Sequence, residues 1–270
     1  MKKYLLLLTI FMLFCASCAK AVKFTSIEKF DEWLSSQPDN TADTPYSVKL
    51  NISSLNGHSQ IPESLGYVLN KFYEVKYVSL DLSGSSFTSI EKIAFRGCSS
   101  LTGIKIPKSV TSIGAWAFMY CYNLKNITIP DSVTDIDNEA FFECVNLTGV
   151  NLPNSITTIK PGTFISCIGL TNVIIPNSVS SIQVDAFSHC NSITSIIIPK
   201  SVTEIEMYAF INCENLISVT FEGTIPYSDL YYYEYPFYGN LREKFYETDK
   251  INGTPGTYTR EKYGSVWTRK

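Results

Sequence analysis

The 270-residue chain is 45% hydrophobic and 17% charged, with 22 basic residues against 25 acidic ones and a formal net charge of −3. That length suffices for one elongated core, and the charge balance leaves no basic footprint for nucleic acid. Acidic and basic residues are interspersed, as on a solvated surface.

Residues 1–17 read as a signal peptide. Lys2 and Lys3 give a positive start, and residues 4–14 form an apolar run broken only by Thr9, too short to span a bilayer. The segment closes with Cys15-Ala16-Ser17-Cys18, small residues ahead of a cysteine. It resembles a bacterial lipoprotein cleavage box with Cys15 where that pattern usually has leucine, which implies a lipid on Cys18 and membrane attachment through it. Ordinary cleavage near Ala16 or Ala19 would instead release the protein.

Residues 18–76 form an N-terminal segment of different texture. Ile27, Phe30, Trp33 and Leu34 fall at helical spacing behind a cap at Thr25 or Ser26, so a short amphipathic helix is predicted over 26–34. Residues 39–45 read as a polar loop, 46–52 alternate like a strand, and 61–72 suit a second helix. Such a segment can close the open apolar end of a repeat array, or stand as a separate binding domain.

From Leu101 a 23-residue phrase, LTGIKIPKSVTSIGAWAFMYCYN, is spoken five times without a slip in register, its later copies starting at Leu124, Leu147, Leu170 and Ile193. A looser copy starts at Tyr77 and a truncated one at Leu216, so residues 77–221 form one array. A period in the 20s marks a stacked solenoid, because one unit cannot bury its apolar face alone. Positions one, four and six of each copy (Leu101, Ile104 and Ile106 in the first) are apolar, which suits a short strand. Pro107, Pro130, Pro153, Pro176 and Pro199 then stop the strand. Next come a second apolar pair, Val110 and Ile113 in the first copy, and then Ala-Phe and a cysteine, a corner whose ring supplies most of its buried area.

LxxIxIPxSVTxIxxxAFxxC resembles the leucine-rich repeat of the BspA type, found in surface proteins of host-associated bacteria, over more than half the chain. The resemblance implies a leucine-rich-repeat solenoid: a curved parallel β-sheet of short strands, mainly β with irregular turns, with a small α/β N-terminal cap and a β/aromatic C-terminal cap. It also implies an adhesin-like protein on the outer surface of the cell envelope, whose partner is a host or extracellular-matrix protein. A structural envelope protein without a host ligand is the first alternative.

Residues 222–270 read as the C-terminal cap, with short strands at 256–260 and 266–268. Residues 227–238 are dense in aromatics, and Tyr231, Tyr232 and Tyr233 offer an exposed surface. A carbohydrate binder acting through this tyrosine-rich loop is the second alternative.

Cys98, Cys121, Cys144, Cys167, Cys190 and Cys213 recur every 23 residues. Equivalent side chains in stacked coils lie about 4.8 Å apart and point the same way, outside the Cβ range of about 3.5–4.5 Å that a disulfide needs. A ladder of buried free thiols is therefore expected. A line of thiols does not converge as a tetrahedral metal site requires. His58 and His189 are the two residues whose ordinary pKa suits a neutral-pH base, and His189 falls on a variable outward position beside Cys190. No phosphate loop, zinc motif or nucleophile elbow is present, so neither enzyme activity nor a cofactor is expected. Asp131, Asp135, Asp137, Glu139 and Glu143 crowd one coil, as scattered solvated charge or as a calcium site.

The remaining chemistry is on the strand surface, at positions two, three and five of each copy. These are small or polar, Thr102, Gly103 and Lys105 in the first repeat, except at Ile174, Ile197 and Ile217. The three isoleucines read as an apolar docking spot for a protein partner, or as β-branched residues that pair well across strands.

Overall fold

A computed structural model describes residues 21–73, 75–226 and 236–270. The chain begins with β1 (Val22–Phe24), α1 (Ile27–Ser36), β2 (Tyr46–Leu50) and α2 (Leu65–Lys71). Strands then alternate long and short: β3 (Val78–Asp81), β4 (Ser89–Ile90), β5 (Leu101–Lys105), β6 (Ser112–Ile113), β7 (Asn126–Thr128), β8 (Asp135–Ile136), β9 (Gly149–Asn151) and β10 (Thr158–Ile159). The alternation continues through β11 (Asn172–Ile174), β12 (Ser181–Ile182), β13 (Ser195–Ile198), β14 (Glu204–Ile205) and β15 (Ser218–Phe221). A short helix α3 (Leu241–Phe245) and strands β16 (Gly256–Thr259) and β17 (Thr268–Arg269) complete the chain. The coils make a parallel β-solenoid of about nine turns, and the C-terminal cap adds β16 antiparallel to β15 and β17 antiparallel to β16.

One ladder runs β1-β2-β3-β5-β7-β9-β11, a second runs β13-β15-β16-β17, and the short strands stack as β4-β6-β8 and β10-β12-β14. Pairing keeps the sequence period, with Ile104 beside Ile127, Val150 beside Val173 and Ile196 beside Val219. The prolines act as expected: Pro107, Pro130, Pro176 and Pro199 end the strand, and their carbonyls accept the amides of Val110, Val133, Val179 and Val202 at 3.0–3.1 Å.

The corner holds a feature that the side-chain pattern does not announce. In each full repeat the residue before the Ala-Phe pair, or Thr-Phe in the third copy, and the residue two after the Phe take left-handed backbone: Trp116 and Tyr120, Glu139 and Glu143, Gly162 and Ser166, Asp185 and His189, Tyr208 and Asn212, with φ of 52–63°. This alternation of hands points every second amide along the solenoid axis. Phe118 donates to Ala140 at 2.8 Å and Tyr120 to Phe142 at 2.9 Å, and the pattern recurs coil after coil. Each non-glycine left-handed residue costs about 1 kcal/mol, offset by an inter-coil bond of similar size.

Behind that ladder the phenylalanines stack. Phe95, Phe118, Phe141, Phe164, Phe187, Phe210 and Phe237 are spaced 4.8–5.4 Å between successive centroids with planes within 11°. Near-parallel rings at that separation are offset, the favoured geometry, adding about 0.5–1.5 kcal/mol per pair beyond burial. The six cysteines are free and buried. Each thiol from Cys121 onward donates to the Phe carbonyl of the preceding coil at 3.0–3.2 Å.

Both ends are covered. Ser26 caps α1, accepting from Lys29 at 3.2 Å, and Ile27, Phe30 and Leu34 are buried. The second predicted helix is shorter than 61–72, starting after its cap Ser64, and it takes the place of a missing corner. Cys98 and Ser100 donate to the Gly66 and Leu69 carbonyls of α2. Gly66 has no room for a side chain, since a Cβ there would lie 2.0 Å from the Ala94 carbonyl oxygen. At the far end Pro236 and Phe237 imitate the Ala-Phe pair: Phe210 donates to the Pro236 carbonyl at 2.7 Å, and Phe237 supplies the last ring of the stack. The predicted strand at 266–268 begins later, at Thr268, because Trp267 is drawn inward and bonds Asn240 and the Tyr238 carbonyl.

Candidate functional site

The face formed by the long strands divides into two halves. At the fifth position of successive coils the register sets Lys49 beside Asp81, Asp81 beside Lys105 and Lys105 beside Thr128. Later in the array the same position carries Asn151 beside Ile174, and Ile197 beside Thr220. The early half is thus a charged and polar ladder, and the later half carries two isoleucines between Asn151 and Thr220.

Ile174 and Ile197 are 62% and 56% exposed, on the outward side of strands whose alternate residues Val173, Ile175, Ile196 and Ile198 are buried. They occupy the same position in consecutive coils, at the point where the main ladder divides between β11 and β13. Ile217 is less exposed, at 38%, and precedes β15. Thr220, three residues further on, pairs with Ile197, so Ile217 sits about 10 Å along the chain from that contact, near the strand entrance. Two of the three predicted isoleucines thus hold equivalent positions in consecutive coils, and the third stands apart from them. Cys18, Tyr231, Tyr232 and Tyr233 lie outside the described residues.

Two outward positions are corrected. Thr102 and Gly103 are buried rather than exposed. Thr102 donates to the Val78 carbonyl of the neighbouring strand at 3.2 Å and Gly103 packs against Ser79, while the loop at 39–45 stands beside the strand entrances. Lys125 donates to the Asp43 carboxylate at 2.6 Å and to the Ala42 carbonyl at 3.4 Å. That bond and the Lys125 charge hold the Asp43 carboxyl below its usual range. Between the loop and the strands lies a polar trough of about 420 Å³, floored by Ser47, Ser79, Lys105, Asn126 and Thr128.

The other candidates resolve into structure. His189 is exposed and meets Asn212 at 3.2 Å, whereas the Cys190 thiol points inward to the Phe164 carbonyl. Burial pushes all six thiols upward, Cys167 and Cys213 to about 12, so none of them supplies a thiolate near neutrality. In the acidic coil, Lys160 reaches Asp135 at 2.8 Å and Asp137 at 3.3 Å. Burial pulls the Lys160 ammonium down, but its bonds to Asp135 and Asp137 outweigh this and hold it above its usual range. An ammonium, with its three donors, occupies the place a calcium ion would need. Among the described residues, no helix is long and apolar enough to cross a membrane.

Known proteins share this geometry. The model of the "BspA type Leucine rich repeat region" matches in six copies, over residues 67–192 and 134–242, more than half the chain. A solved leucine-rich cell surface protein of Faecalibacterium prausnitzii A2-165 is 30% identical, with a TM-score of 0.53, over 69% of this chain and 52% of that one. The chain thus spans about half the length of that relative. A leucine-rich-repeat protein of T. pallidum is 31% identical over 54% of this chain and 71% of its own, with a TM-score of 0.47. One from Bacteroides ovatus is 22% identical over 75% of this chain and 63% of its own, with a TM-score of 0.41. No curated protein matches the chain. With its repeat phrase, its coil register and six matched copies, the chain belongs to the BspA-type leucine-rich-repeat family.

Proposed function

We propose that this is an exported surface protein, anchored by a lipid on Cys18, whose strand face binds a protein of the host or its extracellular matrix. The observation that carries the reading is the exposed pair Ile174 and Ile197 on a sheet face that is otherwise small and polar. Isolated apolar residues on a surface are ordinary, but two at the same position of consecutive coils on the long face of a repeat scaffold form an anchor of the kind that partners bury. The polar half of the face, with Lys49, Asp81 and Lys105 in sequence, supplies orientation rather than affinity.

The test compares wild type with the Ile174→Asp, Ile197→Asp double variant for binding to immobilised matrix proteins, with melting curves to verify the fold. Both side chains are mostly solvent-exposed, so the variant folds. The expected outcome is a loss of at least about tenfold in affinity, or 1.4 kcal/mol. Undiminished binding by a folded double variant contradicts the assignment of the face, and no binding by wild type contradicts the matrix-protein reading.

A further inference from the structure

The C-terminal cap encloses a second site, which owes nothing to the strand face. Asn212, Glu214, Tyr238, Arg260 and Tyr263, with the backbone of Cys213, line a cavity of about 230 Å³. Two aromatic rings border it. Tyr263 is 67% exposed, holds left-handed backbone at φ 62°, a conformation an aromatic residue adopts only at a cost, and has the Lys262 ammonium 4.9 Å from its ring centroid. Tyr238 is 48% exposed, and the Arg260 guanidinium sits 5.4 Å from its ring centroid.

The polar groups limit the ligand. Arg260 is buried, and its donors are spent on backbone: Nε on the Leu216 carbonyl at 2.7 Å, Nη1 on Gly264 at 2.6 Å, and Nη2 on Cys213 and Glu214 at 3.2 Å. Of its five N–H groups four are engaged, which leaves one and no fork for a carboxylate or phosphate. The Glu214 carboxylate, exposed at the rim and without a partner among the described residues, repels an anion and accepts hydroxyl donors. Asn212 adds its amide oxygen, its nitrogen meeting His189 at 3.2 Å. Exposed tyrosine rings, a carboxylate acceptor, an amide and one residual donor around a cavity smaller than a drug-sized pocket fit a single neutral polyhydroxylated ring.

We infer that this cavity binds one neutral sugar residue, its ring C–H face on Tyr263 and its hydroxyls on Glu214, Asn212 and the remaining Arg260 N–H. The residues that line the site are distinct from Ile174 and Ile197 on the strand face.

The experiment is saturation-transfer NMR and titration calorimetry on the whole exported chain, with the methyl glycosides of glucose, galactose, mannose and N-acetylglucosamine as probes. Glucuronic acid serves as the anionic comparison. The expected result is saturation by at least one neutral glycoside near 1 mM, about −4 kcal/mol, weaker binding of the anion, and a drop of at least about tenfold in Tyr263→Ala. Tyr263 is exposed, so this variant keeps the fold; Glu214→Gln provides a second readout by relaxing the preference for the neutral probe. Absence of binding by all four glycosides up to about 10 mM, or undiminished binding in Tyr263→Ala, overturns the inference.

Discussion

At Glu139 the backbone sits at φ 52°, and the equivalent residue one coil later is Gly162. The pair shows how the corner tolerates side chains that its geometry does not favour. Glycine carries no left-handed penalty but loses more entropy on folding. Glu139→Gly is expected to be stabilising by up to about 1 kcal/mol, read as a raised denaturant midpoint; a fall of that size contradicts the account of the corner. The thiols impose a different dependence. Burial holds their folded pKa values above the ordinary 9.0, so the unfolded chain releases these protons first. Their contribution is fully present below about pH 9 and is lost as pH rises through the folded values, by up to about 1.4 kcal/mol per unit for each thiol. Urea melts from pH 8 to 10.5 on the wild type and on a Cys144→Ala, Cys167→Ala variant check this: the wild type is expected to lose stability more steeply. Parallel slopes contradict it.

Single elements here work by standing in for a missing coil. The α2 helix offers its Gly66 and Leu69 carbonyls where a preceding repeat would offer its corner. Lys76 reaches the Leu34 and Ser35 carbonyls at 3.0 Å and fastens α1 to the same end. At the other end Arg260 gathers four carbonyls, those of Cys213, Glu214 and Leu216 in the last coil, which has no next coil to pair with, and that of Gly264 in the cap. Arg260→Leu keeps bulk but removes these four bonds, leaving the Cys213 carbonyl only its Leu216 amide donor, and a loss of about 3 kcal/mol in unfolding free energy is expected. Because a solenoid is stabilised through neighbouring coils, the damage should begin at the C-terminal repeats, with faster amide exchange at Val219 than at Val150. Uniform exchange in the variant contradicts the capping role.

For the whole molecule, the repeat period carried the coil register, the buried set and the free-thiol ladder, because each depends on side-chain identity recurring at fixed spacing. The second row of short strands and the left-handed corners were not legible, since Trp116, Glu139 and Asp185 share a backbone conformation and no side-chain property. Burial of Thr102 goes with its bond to the Val78 carbonyl in the preceding coil, which a local pattern does not register. Ile174 and Ile197 were visible because they break alternation, whereas the sugar cavity joins residues from 212 to 263 that no motif connects. The central claim is that this solenoid stands outside the cell on a lipid at Cys18. Limited proteolysis of intact bacteria carrying the C-terminally tagged protein, with metabolic acyl labelling in parallel, tests it most directly. The account predicts an acylated protein, loss of the tag on protease treatment, and loss of the acyl label in Cys18→Ala. Full protection in intact cells, or an unlabelled wild-type protein, would contradict it.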